Sequence, residues 1–296
     1  MDTRSDLPAP LPHQAPGARL SKPGHGAPLR ILTYNVRRCY GLDGRYAPER
    51  IAEVIAESEP DVVALQELDV NRLRSGGIDQ AVAIASALRM NVHFHPAMRV
   101  VEELYGDAVL SALPLRLVKA DALPGVFRRP HREPRGALWA EVEVEGMPVQ
   151  IINTHFGLLP GERMKQAEAL LGPHWLGHEA CREPLILVGD FNSVPSSRSY
   201  RKLTSRLTDV QARAGIRPHP TFPSRWPWLR IDHVFVSQAI EIEDVRTVRS
   251  AVSRVASDHV PLCVDLRIYA PENNRAVGTR AVRATDAPAF EPRDEP

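Results

Sequence analysis

The chain has 296 residues, 43% hydrophobic and 25% charged, an ordinary balance for a soluble globular protein. Lys and Arg total 37 against 36 Asp and Glu, and the net charge of +1 excludes a whole-protein field for nucleic acid, so such a partner needs a local basic patch. The three scattered cysteines, Cys39, Cys181 and Cys263, form no CxxC pair; they argue against a disulfide framework and a zinc-cysteine site, and a reducing, cytoplasmic setting is the expectation.

Residues 1–28 lack the apolar segment of a secretory signal and are rich in Pro, Gly and Ala, so they read as a disordered arm. The stretch 271–296 reads the same way, which leaves residues 29–270 as one large α/β domain. No run approaches the roughly 18 apolar residues of a membrane span. "LRILTYNV" (29–36) predicts a strand, "APERIAEVIAESEP" (47–60) a helix with Pro48 near its start, and "DVVALQEL" (61–68) a buried strand. A helix is expected over 79–88 and a strand over 107–113. The alternation in 137–156, broken by Glu145-Gly146, predicts a hairpin. A helix over 161–177 follows, then strands at "PLILVGDFN" (184–192), "RIDHVFVS" (230–237) and "SDHVPLCVDLRI" (257–268). Hairpins mixed with helix crossovers predict two packed sheets with helices outside.

Polar residues follow these apolar runs again and again: Asn35, Glu67, Asp107, His155, Asp190, Asn192, Asp232, Asp258 and His259. Side-by-side strands would bring them to one rim. Carboxylates with amides and two histidines suit a hard divalent cation and a phosphate, since Mg²⁺ takes oxygen ligands and often a single carboxylate anchor. Zinc would favour more histidine and cysteine. Each stretch alone has a plain structural reading as a cap or a turn; it is their joint order that turns do not explain.

"TYNVR", "QE", "YGDAVLS", "NTHFG", "GDFNSVP", "RIDHVFV" and "SDHVPL" resemble, in order, the motifs of the endonuclease/exonuclease/phosphatase superfamily, across residues 29–268. "EPRGAL", "HFGLLPGERMKQ" and "TFPSRWPWLRIDHVF" look most like its small single-domain bacterial members, the YbhP-like group. The resemblance implies a four-layer α/β sandwich of the pancreatic deoxyribonuclease type and metal-dependent attack of water on phosphorus. It implies Mg²⁺, or Mn²⁺ in its place, bound by Glu67 with Asn35 beside it and Asp258 completing the environment. Asp190 would orient and deprotonate the water, and Asn192 would hold the water or a phosphate oxygen. His259, backed by Asp232, would contact the scissile phosphate or exchange a proton, and His155 would face it from the other side. Where relatives have Gly-Asn this chain has Gly106-Asp107, and the extra carboxylate would either join the metal shell or repel substrate.

Substrate choice sits in the loops. The basic run "RRPHREPR" (128–135) offers Arg132 and Arg135 to phosphate, and Arg230 is a third candidate. Glu103 pairs with His155 or is a solvated loop acid. "SRWPWLR" (224–230) either packs on its own sandwich, stacks on bases, or rests at a lipid interface as a peripheral membrane contact. A monomer acting on a phosphate ester, either a nucleic acid or a phospholipid headgroup, is the resulting expectation. A soluble small phosphoester and a non-catalytic binding protein on the same fold are the alternatives.

Overall fold

Strands that read as unbroken apolar runs are buried on both faces, so each sheet needs a covering layer on either side. The computed structural model, which describes residues 26–125, 133–213 and 218–270, meets that need with four layers. In chain order the elements are β1 (Ala27–Asn35), α1 (Pro48–Ala56), β2 (Val62–Val70), α2 (Gln80–Leu88), β3 (Asn91–Val100), β4 (Glu103–Ser111), β5 (Leu115–Ala122), β6 (Gly136–Val144), β7 (Met147–His155), α3 (Pro160–Leu171), β8 (Leu185–Asp190), α4 (Arg198–Thr204), β9 (Thr208–Asp209), α5 (Val210–Arg213), β10 (Asp232–Val236), β11 (Ile240–Thr247), α6 (Ser253–Ala256) and β12 (Leu262–Ile268). The first sheet runs β11-β12-β1-β2-β4-β3 and the second β5-β6-β7-β8-β10-β9. Each is mixed: β1 and β2 pair in parallel, as do β7 and β8, and the other pairings are antiparallel. The expected two-sheet sandwich is what forms.

The period of two in each strand sorts side chains between layers. Ile31, Val62, Ala64 and Val109 of the first sheet meet Leu138, Ile151, Val188 and Val234 of the second in the central core. Their sequence neighbours Leu32, Val63 and Leu110 turn outward beneath Ile51 and Ile55 of α1 and Ile84 of α2. Behind the second sheet, Ile152, Leu187 and Phe235 lie under Ala167 and Leu170 of α3 and Leu203 of α4. Among the described residues no helix is long and apolar enough to cross a membrane.

Several boundaries are shorter than the periodicity implies. Pro48 starts α1 as expected, but the helix ends at Ala56, and α3 stops at Leu171 before Gly172 and Pro173. The last strand begins only at Leu262, so Ser257, Asp258 and His259 lie in the preceding loop rather than in a strand. The terminal segments expected to be disordered lie outside the described residues, apart from residues 26–28, which lead into and begin β1.

Candidate active site

Six strand ends meet at one edge of the sandwich: the C-termini of β1, β2, β7 and β8 and the N-termini of β10 and β12. In the second sheet the placement is plain ladder register, with His155 beside Asp190 and Asp190 beside Asp232. The ladder closes tightly there. A Cβ on Gly189 would lie 1.9 Å from the Thr154 carbonyl oxygen, and its φ is +142°, so only glycine lets β8 approach β7 directly before Asp190.

In the first sheet the site depends on irregular backbone. The pairing of β2 with β4 slips between Leu65 and Leu68, and Glu67 sits in that bulge with φ +63°. A non-glycine residue held there is strained by about 1 kcal/mol or more, as residues at functional sites often are. The bulge turns Glu67 from the strand's alternation toward the edge. Asp107 braces it by accepting the Glu67 N–H at 3.4 Å. In the same bulge, one residue before Glu67, Gln66 ties the sheets together, donating to Asn153 Oδ1 at 2.8 Å, while Asn153 Nδ2 donates to the Leu65 and Ala108 carbonyls.

Asn35 joins the halves. Its Nδ2 donates to Glu67 Oε1 and to Asp190 Oδ2, both at 3.0 Å, and its Oδ1 accepts the Arg37 N–H at 3.0 Å. That last bond fixes which way the amide points, so in this arrangement Asn35 holds two carboxylates rather than offering an oxygen of its own. Asp190 Oδ1 accepts the Asn192 N–H at 2.8 Å. Burial, then the facing Asp232, pushes the Asp190 carboxyl up to about 7 against the opposing pull of His259.

The two histidines are prepared differently. His259 Nδ1 lies 2.8 Å from Asp232 Oδ2, and its Nε2 lies 3.8 Å from Asp190 Oδ2. Burial alone would lower it, but Asp232, Asp190 and Asp258 outweigh that and hold it up to about 10, so it is an imidazolium at neutral pH. Asp232 is held in turn by the Thr221 hydroxyl, and the Phe222 ring packs 4.9 Å from the imidazole. His155 is held well below its usual range, first by burial and then by Arg135 and His259. Its Nδ1 is 3.3 Å from Arg135 Nη1 and its Nε2 is 3.2 Å from Asn192 Nδ2; both neighbours are donors, and a neutral imidazole accepts at only one of its two nitrogens. Nε2 also lies 3.5 Å from Asp190 Oδ2 and 3.9 Å from Glu67 Oε1. Asn192, at φ +47°, donates its Nδ2 to the Phe156 carbonyl at 3.0 Å and sets the same nitrogen 3.2 Å from His155 Nε2.

Asn35, Glu67, His155, Asp190, Asn192, Asp232 and His259 are therefore brought together. Others take different places. Asp258 turns to Arg37, with Nε 3.4 Å from Oδ2, rather than to Glu67. Arg135 is buried behind His155 and also bonds Glu133 at 3.1 Å, so it braces an imidazole instead of reaching into solvent for phosphate. Arg230 is committed to the buried Asp209. Glu103 pairs with Arg72 and the Leu73 N–H, not with His155. Arg132 lies outside the described residues. Asp107 makes no approach to an open position, and burial raises its carboxyl to about 7 against Arg135.

A supporting cluster carries no motif signal. Asp209 accepts from the Tyr200 hydroxyl at 2.6 Å and from Arg230, with His233 Nδ1 at 3.3 Å. His233 Nε2 lies 2.7 Å from the Ser193 carbonyl, so the cluster clamps the turn after Asn192. Its only sequence trace is that His233 and Ser193 adjoin site residues.

The donor set fits a hard divalent cation. Glu67 and Asp190 present carboxylate oxygens to one small volume, while both imidazoles are already engaged at Nδ1 and no cysteine is near. Asp190, Asp232 and His259 also bring ligand atoms within 4.8 Å of one another. The close Asp232–His259 bond marks that pair as a proton-holding dyad, so Glu67 and Asp190 are the residues suited to hold the ion.

Residues 32–259 match the Endonuclease/Exonuclease/phosphatase family. The chain is 24% identical over 256 residues to the uncharacterized protein YbhP of Escherichia coli (strain K12), covering 81% of this chain and 96% of that protein. Among solved structures it resembles an endonuclease/exonuclease/phosphatase from Beutenbergia cavernae, with TM-score 0.64, 22% identity and coverage of 82% of this chain and 72% of the other. It also resembles the mannosyl-6-phosphatase Bt3783 of Bacteroides thetaiotaomicron, with TM-score 0.63, 21% identity and coverage of 80% and 99%.

Proposed function

The chain belongs to the endonuclease/exonuclease/phosphatase family, and from that premise we propose that it is a Mg²⁺- or Mn²⁺-dependent phosphoesterase that directs water onto phosphorus. Members of this family are typically phosphoester hydrolases that depend on a divalent metal. The observation that carries the reading is the meeting of Asn35, Glu67 and Asp190 at 3.0 Å contacts beside an imidazolium backed by Asp232. A decayed binding protein has no use for a buried and a half-buried carboxylate joined by one amide, an arrangement that costs stability.

The cation supplies neutralisation of phosphate oxygens and polarisation of phosphorus. The protein's own groups do the rest. Asp190 accepts the proton of the attacking water, helped by a carboxyl raised toward neutrality. Asn192, whose amide stands beside His155, holds that water or a phosphate oxygen, with the turn held by the Asn192 N–H to Asp190. His155 faces a non-bridging phosphate oxygen from the side opposite His259. His259, charged at neutral pH, faces the same phosphate and gives its Nε2 proton to the leaving oxygen while Asp232 stabilises the charge on Nδ1.

A phosphodiester in nucleic acid or in a phospholipid is the proposed substrate, and a phosphomonoester is the second reading, favoured by the likeness to a mannosyl-6-phosphatase. The test is hydrolysis of single- and double-stranded DNA, RNA, phospholipids and a sugar phosphate with Mg²⁺ or Mn²⁺. Turnover of one class, abolished by EDTA and by Asp190→Asn in a folded protein, supports the reading. Turnover that survives EDTA contradicts it.

A further inference from the structure

Among the described residues, the five most exposed large apolar side chains are Leu73 at 85%, Val101 and Trp226 at 83%, Trp228 at 71% and Leu158 at 66%. They come from four separate connections: β2 to α2, β3 to β4, β7 to α3 and α5 to β10. Register puts all four at the edge that carries the site. Val70 pairs with Leu104, so the β3–β4 turn stands beside the end of β2, and Asp232 pairs with Asp190, so the tryptophan loop stands beside the end of β8. Apolar residues scattered over a surface need no explanation, but five crowning one rim around a polar cleft do.

The tryptophan loop is not slack. Trp228 N and Leu229 N both donate to the Phe222 carbonyl, at 3.0 and 2.9 Å, and Thr221 N donates to Leu229 at 2.9 Å. Ser224 fixes the loop to the segment bearing His259, its hydroxyl donating to the Ser257 carbonyl at 2.7 Å. Two indoles are thus held outward on a rigid support next to a site histidine. Exposed arginines lie in connections at the same edge, Arg45 between β1 and α1, Arg225 in the tryptophan loop and Arg249 and Arg254 between β11 and β12, and among the described residues none of them forms an ion pair; the exposed acids there are Asp43, which pairs with Arg50, Glu102 in the β3–β4 turn and Asp121 near the end of β5.

We propose that this rim docks on an anionic phospholipid surface, with the indoles and aliphatic tips entering the interfacial zone and the free arginines meeting headgroup phosphates. The inference rests on the phosphoesterase reading for its consequence, that the ester presented to the site is a lipid headgroup. Tips on separate loops suit a yielding lipid layer, which closes around protrusions, whereas a rigid protein partner needs a continuous complementary face. Single-stranded nucleic acid would stack on the indoles but has no use for Leu73, Val101 and Leu158. Each cation near an anionic membrane surface adds attraction that salt weakens.

The experiment is sedimentation of the full chain with vesicles of phosphatidylcholine alone, or in equal parts with phosphatidylglycerol, read with tryptophan emission. Of the four tryptophans, Trp139 and Trp175 are already buried, so a blue shift reports Trp226 and Trp228. Binding to the anionic vesicles with a blue shift is expected, both in the unmodified protein and in Asp190→Asn. Trp226→Ser with Trp228→Ser should weaken binding by about tenfold or more, with hydrolysis of a soluble nitrophenyl phosphate ester unchanged. No vesicle binding, binding indifferent to the tryptophan changes, or a blue shift with a single-stranded oligonucleotide instead of vesicles would overturn the docking surface. Vesicle binding without hydrolysis of any phosphate ester would keep the surface and overturn the phosphoesterase reading.

Discussion

The two sheets reach the same edge by different means. The second sheet lines up His155, Asp190 and Asp232 by undistorted pairing across three strands. The first delivers Glu67 through a bulge at φ +63°, then turns the chain after Asn35 through three left-handed residues, Arg37, Arg38 and Cys39. Asp190, at once the proposed base and one of the two carboxylates suited to the cation, rests on the regular half; Glu67, the other carboxylate, rests on the strained half, and His259 comes from the loop before β12 of that same sheet. Loss of Asp190 should therefore strike the chemical step along with metal affinity, whereas damage at the Glu67 bulge should strike metal affinity.

The largest effect expected is on the regular side. Asp190→Asn removes the base and leaves one oxygen where two accept, from Asn35 Nδ2 and from the Asn192 N–H, and the rate at saturating substrate should fall by roughly 10²–10⁴-fold in a protein that still melts cooperatively. A fall no greater than tenfold would mean that the proton leaves by another route. Next comes the glycine that precedes each buried aspartate. A Cβ at Gly106 would lie 1.9 Å from the His95 carbonyl oxygen, as one at Gly189 would from Thr154. Alanine at either position should lower the unfolding free energy by about 2 kcal/mol or more, measured by urea denaturation, because backbone must move.

A narrower test separates the halves directly. Asp107→Ala frees the Glu67 N–H, and Mn²⁺ affinity measured by calorimetry should weaken by roughly 10–100-fold, as for a lost support of a ligand. Asp107→Asn keeps an acceptor at Oδ1 and should restore most of it. Equal loss in both variants would assign Asp107 a charge role instead of a bracing one.

The smallest effect is on pH dependence without metal. Asp107 and Asp190 are held from the ordinary 3.8 up to about 7, so the folded state disfavours their charged forms. Metal-free stability should be fullest below about 3.8 in respect of these groups and decline as pH rises through about 7. His259 is raised from 6.5 to about 10, so its contribution is complete below 6.5 and is lost as pH rises through about 10. Asp107→Asn should flatten the first decline in thermal melts and leave the second.

The same contrast explains what was legible in the sequence. The central strands announce themselves because both faces are buried, and the polar residue ending each run marks the edge. The four strands that sequence reading passes over, β3, β5, β9 and β11, are the outer strands of the two sheets. Edge strands carry charges and tolerate proline, so "NVHFHPAMRV" and "IEIEDVRT" lose the apolar signature of a sheet interior. In the site, strand-end residues were found by order alone. The sequence offers Arg135 and Arg230 to phosphate and, through the resemblance, Asp258 to the metal, whereas buried partners at His155 and Asp209 and the neighbouring Arg37 claim them. The bulge at Glu67 and the Tyr200–Asp209–His233 clamp arise from pairing between distant segments, and no local pattern encodes them.

The central claim is that the two edges combine to set water on phosphorus, and oxygen-18 water tests it most directly. With Mg²⁺ or Mn²⁺ and the ester that turns over fastest, the label should appear in the phosphate-bearing product, at a rate that collapses in Asp190→Asn. Label in the alcohol product instead, or turnover equal in the variant, would contradict the account.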